Sequence, residues 1–156
     1  MLREYLNRES AAQPTINRVA LLWASAKVPG LLEPEQQKAI ISEVLSKQRA
    51  DGGWSLSSLV AGWKRHDETP QEGKSDGYAT GLITFALQQA GIPRENPQEK
   101  QGLGWLVENQ DKTMGFWLGY SLNKNVEHHI SPGTALFMND AATAYAVLAL
   151  TEGNRH

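Results

Sequence analysis

Few residues in this chain are placed to do chemistry. Asp76 and Asp140 stand at the predicted starts of two apolar helical stretches, 64 positions apart. Tyr78 and Tyr145 follow them, and Trp63 lies in the irregular stretch that precedes Asp76. A carboxyl group at the mouth of an apolar cavity can pass a proton to a bound molecule when burial keeps it protonated. Aromatic faces around that cavity stabilise positive charge. The plainer role is structural. An aspartate before a helix accepts hydrogen bonds from free backbone amides, a contribution of roughly 1 kcal/mol. Two tyrosines can equally pack between helices. The near-equal spacing puts both aspartates at one end of the fold. Trp63, Asp76, Tyr78, Asp140 and Tyr145 are therefore the candidate lining of a ligand cavity, and no catalytic residue is assigned.

Other constellations are weaker. His128-His129 has Glu127 as its only acidic neighbour. A structural zinc site needs four converging ligands, and the chain has no cysteine, so neither a metal nor another cofactor is expected. Gly102-Leu103-Gly104 lies inside a predicted helix with no strand before it, which excludes a dinucleotide loop. No phosphate loop stands out. Asp67, Glu68, Asp76 and Asp140 are the acids a carbohydrate-active α/α barrel would draw on, and five tryptophans suit sugar stacking. No spacing singles out a catalytic pair among them.

The elements that must hold these residues are helices. Ile16 to Val28 is apolar around its whole circumference and stops at Pro29-Gly30, a pattern that predicts burial on all sides. Glu33-Pro34 opens an amphipathic helix with Ile40, Ile41, Val44 and Leu45 on one face. Trp54 to Ser75 is irregular, and Ser75-Asp76 opens a second apolar helix, Tyr78 to Ala90. Asn96-Pro97 opens the next amphipathic one. Leu118 to Phe137 is again irregular, and Asn139-Asp140 is expected to cap a last helix, Ala141 to Leu150. The 156 residues fit one domain, 1–156, of the all-α class. A net charge of −2 gives no electrostatic case for nucleic acid. No run is long enough for a transmembrane segment. The polar start, Met1 to Tyr5, is no secretory signal, so a soluble protein, cytoplasmic by default, is expected.

A repeat runs through this series. Gln48, Gly52 and Trp54 recur as Gln110, Gly115 and Trp117, at steps of 62 to 63 residues, and Pro34 recurs as Pro97. Self-similarity at a fixed period decides architecture. Gly102, Trp105, Leu106, Val107, Gln110, Gly115 and Trp117 resemble the QW repeat of the terpene cyclase family, which includes squalene-hopene and oxidosqualene cyclases. The first copy has no aromatic in its helix. The resemblance spans roughly Thr15 to Leu150. It implies an α/α toroid of alternating inner and outer helices, an architecture shared with protein prenyltransferase β-subunits. On that reading the chain is a partial toroid of about two and a half units: about 15–75, 76–138, and a last inner helix, 139–152.

The resemblance also implies what is missing. The family's protonation motif, Asp-x-Asp-Asp-Thr-Ala, falls on Asn139-Asp140-Ala141-Ala142-Thr143-Ala144, with alanines where the paired acids would stand. The prenyltransferase zinc site needs a cysteine that is absent. Three inner and two outer helices are about half of the family's ring. A homodimer, or the remainder of a larger toroid protein, is expected to complete it through the terminal inner helices. The expected function is then to bind a hydrophobic, isoprenoid-like small molecule or to form half of a ring. The alternatives are a squalene-cyclase-like enzyme domain whose acid lies in missing repeats, and the carbohydrate-active barrel.

Overall fold

The computed structural model describes residues 2–66, 68–123 and 132–152. All regular structure in those residues is helical. In chain order the helices are α1 (Leu2–Glu9), α2 (Thr15–Ser25), α3 (Pro34–Ser46), α4 (Gly77–Gln89), α5 (Pro97–Glu108) and α6 (Pro132–Glu152), with short 3-10 turns at Ser10–Ala12 and Leu56–Leu59.

The starts of the helices follow from local chemistry. Pro34 and Pro97 occupy first-turn positions, where the missing N–H costs nothing. Glu33 and Gln36 form a reciprocal capping box, and the Gln36 side chain accepts from the Glu33 amide at 2.9 Å. Asn96 Oδ1 accepts from the amides of Gln98 and Glu99 at 3.0 and 3.2 Å. Asp76 Oδ1 accepts from Ala79 N at 2.9 Å and caps α4. Gly91, at φ 87°, lets the Ile92 amide reach back to Leu87 O and close α4.

α4 is the centre of the molecule, and every residue from Ala79 to Leu87 is buried. It packs against α2, α5 and α6, while α3 lies against α2. One apolar cluster joins Val19 and Leu22 of α2, Ile40 and Val44 of α3, Trp54, and the Leu82–Ile83 side of α4. A second joins Phe85, Trp105, Leu106 and Trp117 to Ala142, Ala146 and Ala149 of α6. The α4–α6 approach is close: a Cβ on Gly81 would come within 2.6 Å of Ala146 N.

Two expectations fail here. α2 is not buried all round: Thr15, Val19 and Leu22 face the core, whereas Asn17, Ala20 and Ala24 are exposed, and the helix stops at Ser25. The last helix does not begin at Asn139-Asp140. It begins at Pro132, whose fixed φ suits a first turn, so Asn139 and Asp140 lie well inside it.

The stretch from Trp54 to Ser75 has no α-helix, yet it is tied down. The buried Arg65 guanidinium donates to Pro70 O, to the Glu72 carboxylate and to Ser121 O. Gln71 Nε2 donates to Leu122 O at 2.8 Å. Both ties join the stretch to the segment just after Trp117.

Candidate ligand-binding groove

The two Gln/Trp turns position everything around the groove, and their hydrogen bonds match almost atom for atom. Trp54 Nε1 donates to Val44 O at 2.8 Å, and Trp117 Nε1 to Leu106 O at 2.7 Å. Gln48 Nε2 donates to Gly52 O, and Gln110 Nε2 to Gly115 O, at 2.8 and 2.9 Å. Gly52 and Gly115 take φ of 86° and 77°, which disfavours any side chain there. The Trp54 amide donates to Thr80 Oγ1 and the Trp117 amide to Thr143 Oγ1, at 3.0 and 3.1 Å. Each indole thus pins its own preceding helix to the following apolar one.

The same register corrects the pairing of the two aspartates. Asp76 Oδ2 accepts from Leu56 N at 2.7 Å. Sixty-three residues later, Asn139 Oδ1 accepts from Gly119 N at 3.0 Å. Asn139, not Asp140, is therefore the counterpart of Asp76. Asp140 is exposed on α6 and caps nothing.

Tyr78 and Tyr145 do come together, with ring centroids 5.4 Å apart at 89°. Trp23 stands edge-on to Tyr145 at 6.4 Å and to Phe85 at 5.1 Å, so α2, α4 and α6 share one aromatic seam. Edge-to-face packing of this kind suits the ring quadrupoles. Beside the seam lies a groove of about 400 Å³, lined by Ile16, Leu56, Tyr78, Leu122, Phe137, Met138, Ala141 and Tyr145, with Ser121 and Asn123 at its polar side. That volume falls in the range of small-molecule sites.

Asp76 lies behind this lining and is not part of it. Burial pushes its carboxyl up to about 7, against the pull of the backbone amides that bond it. The Tyr78 phenol is also raised, by burial first and then by Tyr145 and Asp76. Both Asp76 oxygens are committed to backbone amides, which makes it a cap and a brace for the Leu56 turn. Trp63 lies elsewhere. Its indole is 53% exposed and borders a separate, polar cleft of about 450 Å³ with Lys64, Glu68 and Gln71.

His128, His129 and Asp67 lie outside the described residues. Among the described residues no three His, Asp or Glu side chains are grouped as metal ligands. Nor is any described helix long and apolar enough to cross a membrane. Ile16, Leu56, Leu122, Phe137 and Met138 were not singled out from sequence. An apolar side chain gives no sign of whether it faces a core or a groove. Comparison with family models, with curated proteins and with solved structures returned no match.

Proposed function

We propose that this chain is an open arc of α/α-toroid type, similar to part of a terpene cyclase, which binds a hydrophobic, isoprenoid-like molecule in the groove beside Tyr78 and Tyr145. The observation that carries the reading is the groove itself: an apolar trough edged by two crossed phenol rings and bounded by three apolar helices. The repeated indole-to-carbonyl pin supports the architectural half of the reading. Ring completion falls to self-association or to the remainder of a larger toroid.

Protonating cyclisation by this chain alone is not part of the proposal. The three positions that would carry acids hold Asn139, an amide already bonded to Gly119 N, and Ala141 and Ala142. Asp140 faces away from the groove lining, and Ala141 forms part of that lining. Among the described residues the one buried aspartate near the groove, Asp76, is occupied as a cap.

A C15 isoprenoid alcohol titrated into the protein, followed by tryptophan emission, tests the ligand reading. Saturable quenching is expected because Trp23 touches Tyr145. Ala141→Trp should abolish it by filling the groove. Quenching that is unsaturable, or unchanged in that variant, would contradict the proposal. A second reading, sugar stacking on Trp63, has the exposed indole over its polar cleft in its favour. Oligosaccharide binding lost in Trp63→Ala would establish it.

A further inference from the structure

Three acceptor oxygens are sealed between α4 and α5 with no donor among the described residues: Oε1 of Gln88 and both carboxyl oxygens of Glu99. Glu99 is fully buried. Thr84 Oγ1 lies 2.8 Å from where a Cβ on Gly102 would stand. Gln88 follows Thr84 by one turn and Glu99 precedes Gly102 by about one turn, so the register of the two helices sets the amide beside the carboxyl. Buried acceptors facing each other are costly unless a proton lies between them. A neutral carboxyl has an O–H to donate to the Gln88 oxygen, which satisfies both side chains at once.

The nitrogen of the same Gln88 amide holds α6. Gln88 Nε2 donates to Ala149 O at 3.0 Å, and Arg94 to Leu150 O at 3.4 Å. Gln89 Nε2 donates to Glu152 Oε1 at 2.6 Å. The last four carbonyls of a helix have no partner within it. α6 ends at Glu152, so Ala149 and Leu150 carry two of those open carbonyls, and side chains from α4 and the loop after it close them.

We infer that Glu99 and Gln88 form a proton-operated clasp on the end of α6. With the proton in place, the Gln88 oxygen accepts from Glu99 and its Nε2 stays on Ala149 O. When the proton leaves for solvent, the carboxylate needs donors. Gln88 Nε2 turns to it and gives up Ala149 O, and Arg94 is drawn from Leu150 O in the same direction. Burial pushes the Glu99 carboxyl up to about 8, so the clasp is closed at neutral pH. The helices packed on α5 are α4 and α6. α4 carries no charged residue, and α6 brings Asp140 and Glu152. The loop before α5 brings Arg94 and Glu95, and the first Gln/Trp turn brings Lys47, Arg49 and Asp51. Of these, Arg94 is the charge that acts on the Glu99 carboxyl. The inference rests on neither the ligand nor the ring reading.

Carbon-13 NMR of the whole chain across pH reads both halves of the clasp. The Glu99 carboxyl carbon and the Ala149 carbonyl carbon are expected to titrate together, with a midpoint of about 8, while the carbonyls of α2 stay still. Exchange protection of the Thr151 and Glu152 amides should fall at least tenfold across the same step. Glu99→Gln keeps a donor to the Gln88 oxygen at every pH, so the Ala149 titration and the loss of protection should both vanish. Gln88→Met should leave Glu99 titrating and Ala149 silent, and it carries the test alone if the first variant fails to fold. A Glu99 midpoint near 4.5, an Ala149 carbonyl that stays still while Glu99 titrates, or an Ala149 titration that survives Glu99→Gln would overturn the proposal. Movement of the α2 carbonyls at the same midpoint would overturn it too, since the whole chain would then be loosening rather than one helix end.

Discussion

The first and second Gln/Trp turns share their internal hydrogen bonds but differ in what covers them. Gln48 bonds its own turn and also reaches Gln98 O at the start of α5, at 2.8 Å. Among the described residues Gln110 bonds only its own turn, in a contact open to solvent. Gly53, in the first turn, lies so close beneath Ser75 and Trp105 that a Cβ would come within 2.7 Å of Ser75. Its counterpart is Phe116, a large side chain that is only half-buried. Gly102 presses on Trp54, with 2.8 Å between its would-be Cβ and the indole Cζ3. The first turn thus has the next unit packed on it, and among the described residues the second does not. The lesson is that a unit makes its own pin but depends on its neighbour for cover. The aromatic at Trp105, absent from α3, is part of that cover.

Deleting the indoles breaks the comparison most severely. Trp54→Ala should cost about 4 to 5 kcal/mol in urea unfolding, at the upper end for a fully buried aromatic. Trp117→Ala should cost about 3 kcal/mol, because among the described residues no further helical unit packs on its turn. Equal losses would mean that the neighbouring unit adds nothing.

Next is the packing of α5 on the first turn. Gly102→Ala must push against Trp54 and Thr84 Oγ1, and about 2 kcal/mol should be lost. Gly104, two residues on, has nothing within 4 Å. Gly104→Ala should be neutral or stabilise by up to about 1 kcal/mol through helix propensity.

Glu99 sharpens the same contrast through pH. It is fully buried on α5, and among the described residues neither carboxylate oxygen has a hydrogen-bond partner. Burial pushes its carboxyl up to about 8, with Gln88 and Arg94 offsetting part of that rise. The folded state therefore holds this proton more tightly than the unfolded chain. Its stability contribution is greatest below about pH 4.5 and is lost as pH rises through about 8. Asp76, raised from 3.8 to about 7, adds the same sign over the lower part of that window. Glu99→Gln should flatten the decline and raise stability at pH 8 by on the order of 2 kcal/mol, measured by urea unfolding across pH. A wild-type profile that rises with pH would contradict the burial argument.

The smallest effect separates the two glutamines. Gln48→Ala should cost about 1 kcal/mol, since two carbonyls lose a donor, and Gln110→Ala less than about 0.5 kcal/mol. The reverse order would show that the bridge to Gln98 is idle.

Much of this architecture is legible in the sequence because local chemistry writes it. Pro34, Pro97, Asn96 and Asp76 announce their helices by capping, and the Gln/Gly/Trp period announces the repeat. The start of α6 is hidden because Pro132-Gly133 reads equally as a turn, and a plausible Asn-Asp cap lies downstream. Asp140 was drawn into the site by a 64-residue step. The hydrogen bonds keep a 63-residue register and place Asn139 there instead. Glu99 was invisible for a different reason. A glutamate on an amphipathic helix is ordinarily solvated, and what buries it comes from α4. Tyr78 and Tyr145 meet ring to ring, whereas Trp63 borders a different cleft, because a long irregular stretch carries no period that fixes its direction.

The most direct test of the account is an experimental structure of the chain grown with a C15 isoprenoid alcohol. The account predicts one alcohol per chain, its carbon chain lying along Tyr78, Ala141 and Tyr145. An empty groove at saturating alcohol, or the alcohol bound at the Trp63 cleft, would contradict it.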